Sequence, residues 1–416
     1  MSLEYGHRPG LLFLTNLFPF PLDDGATFKT YYTLRYLSRN FEVTLVSFYR
    51  TQEELAFREE MGHFCKEIIA IPLKRSKWRD IGNVILSLFN RKPFLIERDY
   101  SRKMAKAIEG ALQRGRFSLI YVDHLHMSQY VCAQEPAKKV LDEHNVEAEI
   151  ARRYSQIEKG WLRKWLAYMD YRKLETYEPR ECRKYDHVFV VSPRDQTLLE
   201  DSGVRNARCI PIGVDTQRLR PLGLNPGSKT IVFIGTMYWP PNIDAVNWFS
   251  HEVFPLIKLK CPDCRFVIIG KRPPLSVQKL ARDRNIFVLG YVEDPTEHLR
   301  DCAAFIVPLR IGGGIRVKIL NALAWGLPIV STTIGAEGIA VTSGENILIA
   351  DHPEGFASAV IRLIHDLPTR EKLSENGRQL AVKAYDWEKV YAELDVSLKS
   401  SDFLPVRPGE KDRGAS

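Results

Sequence analysis

No apolar run in the 416 residues reaches the length needed to cross a bilayer, so no membrane span is expected. The first ten residues also lack the apolar segment of a secretory leader, and Leu11–Phe18 is short and broken early. The reading is a cytoplasmic chain, free or peripheral on the inner face of a membrane. Cysteine is sparse: seven residues, of which only Cys261 and Cys264 form a CxxC. No second pair or suitably spaced histidines accompany them, so a zinc site is not expected and Cys261-Pro-Asp-Cys264 reads as turn chemistry. Scattered, odd-numbered cysteines fit a reducing compartment. Blocks of lysine and arginine are missing despite a net charge of +8 and a pI near 9.0, which points away from nucleic acid. The basic surplus instead favours small anionic partners: nucleotides, phosphate groups or acidic lipid. There is no GxGxxG opening a helix after a first strand, which speaks against a dehydrogenase.

What is present is a pattern that occurs twice. Leu11–Thr15 is a short apolar run, followed by the loop "NLFPFPLDDGAT", a helix-spaced set from Phe28 to Leu37, and the strand "FEVTLVSF". In the second half "TIVFIG", the loop "TMYWPPNID", a helix through Ala245–Ile257 and "RFVIIG" repeat the order. Apolar strands alternating with helices imply parallel sheets covered on both faces. Two such beginnings, in a chain too long for one core, imply two doubly wound α/β domains. The expected division is 1–215, 216–385, a last helix over 386–402 with Asp386 as its N-cap, and a tail over 403–416. Pro221, Gly223, Pro226 and Gly227 punctuate the boundary.

The most informative stretch is "VPLRIGGGIRVKILNALAWGLPIVSTT", Val307–Thr333. A buried strand ends in Leu309, three glycines make a turn, and a helix opens that Gly326 and Pro328 end. In a doubly wound sheet this carboxyl end opens on the ligand crevice. Glycine lets backbone approach a ligand, and the helix N-terminus offers unpaired N–H groups. Arg316 and Lys318 add two charges there. A diphosphate is the natural guest, cradled by Gly312, Gly313 and Gly314.

In the first half, Asp123-His124-Leu125-His126 follows the strand "LIYV", and His144, Asn145 and Glu147 follow the strand "KKVLDE". A strand-end histidine is either structural or a ligand contact, and Asp142 or Asn145 equally reads as a cap for the next helix. The helical region Glu147–Tyr185 is striped by Trp161, Trp165 and Tyr168 with cations between. It reads first as a packed helix with solvated cations, and otherwise as an acceptor or membrane-surface face. Lys74–Lys92 mixes cations with an apolar stretch too short to span, which suggests a surface for anionic lipid.

These residues carry a resemblance over most of the chain. "PLDDGAT", "VFVVSPRD", "IPIGVD", "VFIGTMYWPPNIDAVNWF", "RFVIIG" and above all "PLRIGGGIRVKILNALAWGLPIVSTTIGAEGI" resemble nucleotide-sugar-dependent glycosyltransferases of family 4, the glycosyl transferases group 1 type. The resemblance implies a GT-B fold, two Rossmann-like domains facing a central cleft, with the last helix, 386–402, returning to the first domain. It implies transfer of a sugar, with retention, from a nucleotide-sugar donor to a hydroxyl of a lipid-linked or saccharide acceptor, in cell-surface polysaccharide or glycolipid synthesis. It places Gly25, Gly235, Gly312, Gly313, Gly314, Asn321 and Glu337 on the donor. Arg316, Lys318 and His124 carry catalysis, with Asp123 and His126 as alternatives to His124. Asp123, His144 and Asn145 lie on the acceptor side. No cofactor and no metal are implied, because Arg316 and Lys318 take the place of Mg²⁺ at the leaving diphosphate. The sequence departs from the family where two glutamates are usual: Gly313 and Asn321 stand there. The alternative is therefore a catalytically inactive nucleotide-sugar-binding or partner protein of the same fold. An epimerase shares the architecture, but "IPIGVD" and "GGGIRVK" argue against it.

Overall fold

The computed structural model describes residues 8–22, 25–73, 76, 82–84, 87, 90, 92–158, 160–312 and 314–399. Gly313, most of Lys74–Lys92 and the tail therefore lie outside the described residues. The chain divides into two compact units, Met1–Pro211 with Tyr391–Ser416, and Ile212–Val390.

The first unit is built on seven parallel strands: β1 Gly10–Thr15, β2 Glu42–Tyr49, β3 Cys65–Pro72, β4 Phe117–Asp123, β5 Lys138–Glu143, β6 His187–Val190 and β7 Ala207–Cys209. Their order is β3-β2-β1-β4-β5-β6-β7, reversing between β1 and β4. The central strands are almost wholly buried because helices cover both faces, as unbroken apolar runs require. Helix α1 is Gly25–Leu37, and α2 is Phe94–Arg98. The long helical region is two helices, α3 Glu147–Ile157 and α4 Trp161–Cys182, broken at Gly160.

Two expectations fail here. Neither Asp142 nor Asn145 caps α3: its N-cap is Val146, and the Glu178 carboxylate from α4 accepts from the amides of Glu147 (2.7 Å) and Ala148 (3.0 Å). The aromatic stripe of α4 is also not packed: Trp161, Trp165 and Tyr168 are 81%, 46% and 49% exposed.

The second unit repeats the plan with six parallel strands: β8 Thr230–Ile234, β9 Arg265–Ile269, β10 Ile286–Gly290, β11 Ala304–Val307, β12 Ile329–Ser331 and β13 Leu348–Ile349. The order is β10-β9-β8-β11-β12-β13, reversing between β8 and β11. Helix α5 is Pro240–Trp248 and α6 is Val317–Ala324. Cys261 and Cys264 close a turn, the Cys264 amide donating to the Cys261 carbonyl at 3.1 Å. The division between units falls inside α7, Trp387–Lys399, whose first turn is capped by Asp386 accepting from Glu388 at 2.9 Å. Within the first unit Tyr391 stacks on Tyr36 at 3.9 Å and its hydroxyl donates to the Tyr32 carbonyl at 2.6 Å.

Candidate functional site

In the second unit, α6 opens from the turn that follows β11. Gly312 and Gly314 have φ of 121° and 76°, a region that side chains rarely enter, so the turn needs glycine there. A Cβ on Gly312 would also meet Arg316 Nη2 at 2.9 Å. Arg316 occupies the N-cap position, with no side-chain cap for the helix amides among the described residues. Its guanidinium donates to the Gly314 carbonyl at 2.8 Å and lies 5.8 Å from the Trp239 ring centre. Lys318, two residues on, reaches back to the end of β8. Its ammonium donates to Asn242 Oδ1 at 2.9 Å and sits 4.3 Å from the Phe233 ring centre. Asn242 in turn donates to the Thr236 carbonyl at 2.9 Å. Gly235 makes this possible: a Cβ there would stand 2.7 Å from Lys318 Nζ and 2.8 Å from Asn242 Nδ2. Burial, with Arg316 adding to it, pulls the Lys318 ammonium down to about 7. The strand ends thus converge two cations on one point, one of them poised to gain a proton when an anion arrives.

Of the residues expected on the donor, Gly235, Gly312, Gly314, Arg316 and Lys318 come together. Asn321 lies one turn beyond Lys318 on α6, with a buried Oδ1 that has no hydrogen-bond partner among the described residues. Glu337 is half-buried in the turn after β12, its amide on the Ile334 carbonyl at 3.4 Å. Gly313 lies outside the described residues. Asn242 and Trp239 were not anticipated; their signal was the Trp-Pro-Pro-Asn loop directly after a strand.

In the first unit Gly25 begins α1, and Lys29 and Thr30 from that helix reach the carboxyl ends of β1, β4 and β5. Register places Thr15, Asp123 and Asp142 side by side on neighbouring strands. Asp123 Oδ2 accepts from Thr15 (2.7 Å) and Thr30 (2.8 Å) and pairs with His124 Nδ1 (3.0 Å), while Oδ1 pairs with His144 Nε2 (2.8 Å). Asp142 takes the buried Lys29 ammonium and the Tyr121 hydroxyl, the latter at 2.7 Å. Burial alone would raise the Asp123 carboxyl, yet the two imidazoles hold it well below the ordinary range. Burial likewise works against the charge on His124, but Asp123 raises its pKa overall, whereas burial and His124 lower that of His144. His124 has a φ of 73°, outside the usual range for a residue with a side chain. That geometry turns its ring onto Asp123 and within 3.9 Å of His144, centre to centre.

Asp123, His124 and His144 bring ligand atoms within 4.8 Å of one another, the spacing of a metal cluster. Both carboxylate oxygens are already engaged by four donors, so the group is better fitted to orient two histidines than to hold a cation. Asn145 is half-buried in the adjoining turn, and His126 is buried on the short helix Leu125–Ser128. Lys29, Thr15, Thr30, Tyr121 and Asp142 as a ligand shell went unread. A lysine in the otherwise aromatic face of α1 was the one visible sign.

Comparison with known proteins agrees with this architecture. Residues 228–366 match the family model of glycosyl transferases group 1. An uncharacterised 44.6 kDa protein in the cps region of Klebsiella pneumoniae is 21% identical over 388 residues, covering 90% of this chain and 96% of that one. The lipopolysaccharide core biosynthesis mannosyltransferase LpsB of Rhizobium meliloti is 26% identical over 47% of this chain and 60% of its own length. Among solved structures, sucrose-phosphate synthase from Thermosynechococcus elongatus superposes with a TM-score of 0.66 at 14% identity, covering 94% of this chain and 98% of that one. Anabaena HepE in complex with UDP gives 0.64 at 12% identity, covering 94% and 100%. The fold is GT-B, and over residues 228–366 the resemblance read from the sequence is matched by the glycosyl transferases group 1 model.

Proposed function

From a chain of the glycosyl transferases group 1 type, we propose a nucleotide-sugar-dependent glycosyltransferase that holds the donor diphosphate on the second unit and transfers its sugar with retention. The observation that carries this reading is Lys318, seated against Gly235 with Arg316 beside it at the opening of α6. Such a pair, with free helix amides, is built for two linked phosphates. Anabaena HepE, which shares this fold, is solved in complex with UDP and with UDP-glucose, which supports a nucleoside diphosphate here.

The chemistry then needs no nucleophilic side chain. As the bond to the sugar breaks, charge grows on the leaving phosphate, and cations already in place stabilise that charge more than the ground state. The acceptor hydroxyl attacks from the face the diphosphate leaves, so configuration is retained. Two side-chain cations do the electrostatic work of a metal, and no metal is required. Asp123, through four donors, fixes His124 and His144, which serve the sugar and the acceptor side. Relatives named for capsular polysaccharide and lipopolysaccharide core synthesis support a role in cell-surface glycans. No helix among the described residues is long and apolar enough to cross a membrane. A cytoplasmic enzyme peripheral to the inner membrane face is the matching location.

The test is twofold. UDP and GDP are screened by thermal shift, where a ligand at about 100 times its dissociation constant adds roughly 2.7 kcal/mol. UDP- and GDP-sugars are then assayed for release of free nucleotide. Absence of both signals overturns the reading. Binding without release favours the second reading, an inactive sugar-nucleotide binder, to which the unpartnered Asn321 Oδ1 in place of a carboxylate lends weight.

A further inference from the structure

We propose that the open-sided cavity between α2, α3 and α4 in the first unit, which Val84 and Ser87 also line, binds the hydrocarbon chain of an anionic membrane amphiphile, and that this amphiphile is the acceptor. The second half of the proposal rests on the transferase reading; the chain site itself does not.

The cavity measures about 400 Å³, and Phe94, Leu95, Ile150, Leu166, Met169 and Leu174 supply apolar walls. Midway along it Asp170 accepts from the Phe94 amide and Lys173 donates to the Ser87 carbonyl, so those polar side chains are engaged and the apolar walls meet the ligand. The α4 residues on the cavity, from Arg163 through Leu166, Ala167 and Asp170 to Lys173 and Leu174, follow one helical face. At 1.5 Å per residue that face is about 16 Å long, the reach of an extended chain rather than of a compact ligand.

The two ends of the cavity differ. At one end lies Glu147, the first residue of α3, where His124 and Arg98 both bear on its carboxyl. This end adjoins the Asp123 cluster and suits a polar head that carries a hydroxyl; the Arg98 guanidinium, which also pairs with Asp99 at 3.4 Å, is the cation on the lining at this end. At the other end, α3 closes on Tyr154 and α4 begins. There the opposite face of α4 presents Trp161 and Trp165 to solvent, 81% and 46% exposed, with Tyr168 next along the stripe. A helix apolar on two faces is normally buried. This one lines a cavity on one side and leaves its aromatic side chains about half exposed or more on the other. Its first thirteen residues carry Arg163, Lys164, Arg172 and Lys173 against the single acid Asp170. Asp170 is occupied, accepting from the Phe94 amide at 2.6 Å. Tryptophan and tyrosine among cations are the side chains that rest at the surface of an anionic bilayer. The outer face of α4 thus sits where a chain would leave the bilayer, and the inner face leads it to Glu147.

The full chain is titrated calorimetrically with farnesyl phosphate below its aggregation threshold, with farnesol and inorganic phosphate for comparison. Saturable binding of farnesyl phosphate is expected, at least tenfold tighter than farnesol, with none for phosphate. Ala167→Trp and Ala151→Phe fill the cavity from opposite walls; each should weaken binding tenfold or more while UDP or GDP binding and the circular dichroism spectrum stay unchanged. Wild-type affinity in both variants, if folded, overturns the chain site. Loss of nucleotide binding in the wild type, with farnesyl phosphate still bound, overturns the transferase reading and leaves the chain site standing. In sedimentation with vesicles of phosphatidylglycerol and phosphatidylcholine, the wild type should pellet at low salt. A Trp161→Ser, Trp165→Ser double variant should stay in the supernatant yet keep farnesyl phosphate binding. No pelleting of the wild type overturns the bilayer as the source. Self-association that the double variant abolishes, without pelleting, assigns the face to a second copy instead.

Discussion

The two units share one plan, a parallel sheet reversing at its centre with polar side chains at the carboxyl ends of the central strands, yet those ends are opposite in charge logic. In the first unit the fixed centres are anions, Asp123 and Asp142, each saturated with donors from several elements. In the second the centres are cations: Arg316 lies against Trp239, and Lys318 against Phe233 and the Asn242 amide. A saturated anion is a structural fixture that orients its partners. A lysine held by a ring and a neutral amide, as Lys318 is, gains its full charge when an anionic ligand arrives. The fold gives both places; the residues decide which of them can receive a diphosphate.

The strongest way to break this contrast is at Lys29. It and Asp142 are both about 1% exposed, so removing the ammonium leaves a buried charge behind. Lys29→Ala should destabilise the protein by about 3–5 kcal/mol. Urea unfolding measures it. A loss below about 1 kcal/mol would mean that the pair is wet and the anion centre not structural.

The cation centre should behave in reverse. Arg316→Ala and Lys318→Ala are each expected to lower kcat/KM by roughly ten- to a thousandfold while the unfolding midpoint barely moves. Gly235→Ala should mimic Lys318→Ala, because its methyl would occupy the place of the ammonium. Near-normal turnover in all three would return both cations to the status of solvated helix residues. A pH signature accompanies this. The Lys318 amine titrates at about 7 without ligand, and a bound diphosphate must raise that value. Binding then takes up a proton above about 7, and nucleotide affinity falls as pH rises further. Calorimetry in two buffers of different ionisation enthalpy reads the proton directly.

How far this was legible follows from the same contrast. The strands, the two beginnings and the glycine turn were readable because unbroken apolar runs and clustered glycine are local signals. Arg316 and Lys318 were readable because they stand beside that turn. The shell around Asp123 was not, since Thr15, Thr30 and His144 come from three elements that only strand register aligns. The Glu178 cap on α3 is 31 residues from the amide of Glu147 that it binds, beyond any capping pattern in sequence. The aromatic stripe of α4 was seen but misjudged, because period alone cannot tell a packed face from an unpartnered one.

A smaller effect sharpens the picture within the first unit. Beneath α3, burial first and then the Glu178 charge push the Glu143 carboxyl well above its ordinary range, and burial pushes Glu178 to about 8. An acid that holds its proton more tightly when folded stabilises the fold at low pH. That stability is lost as pH climbs from about 4.5, the unfolded value, to about 8. Lys318 acts in the opposite sense at higher pH, so the comparison must be made between variants. The melting temperature of the wild type should fall between pH 6 and 9 more than that of Glu178→Gln, which cannot ionise. Parallel curves would show that the carboxyl is ionised throughout.

The smallest effect expected is at Asn321, and it tests the donor side most finely. Its Oδ1 is buried without a partner, on the same helix as Lys318 and one turn further from the phosphate end. A nucleoside diphosphate held at Arg316 and Lys318 would bring ribose hydroxyls toward that oxygen, which can accept but carries no charge. A neutral hydrogen bond contributes about 0.5–1.5 kcal/mol, so Asn321→Ala should weaken UDP or GDP binding roughly three- to tenfold and leave kcat nearly unchanged. Asn321→Glu should do the reverse, since a hydroxyl donating to a carboxylate is about twice as strong a bond. If Asn321→Ala lowers kcat rather than affinity, the ribose is not its partner, and the nucleotide lies along α6 in another direction.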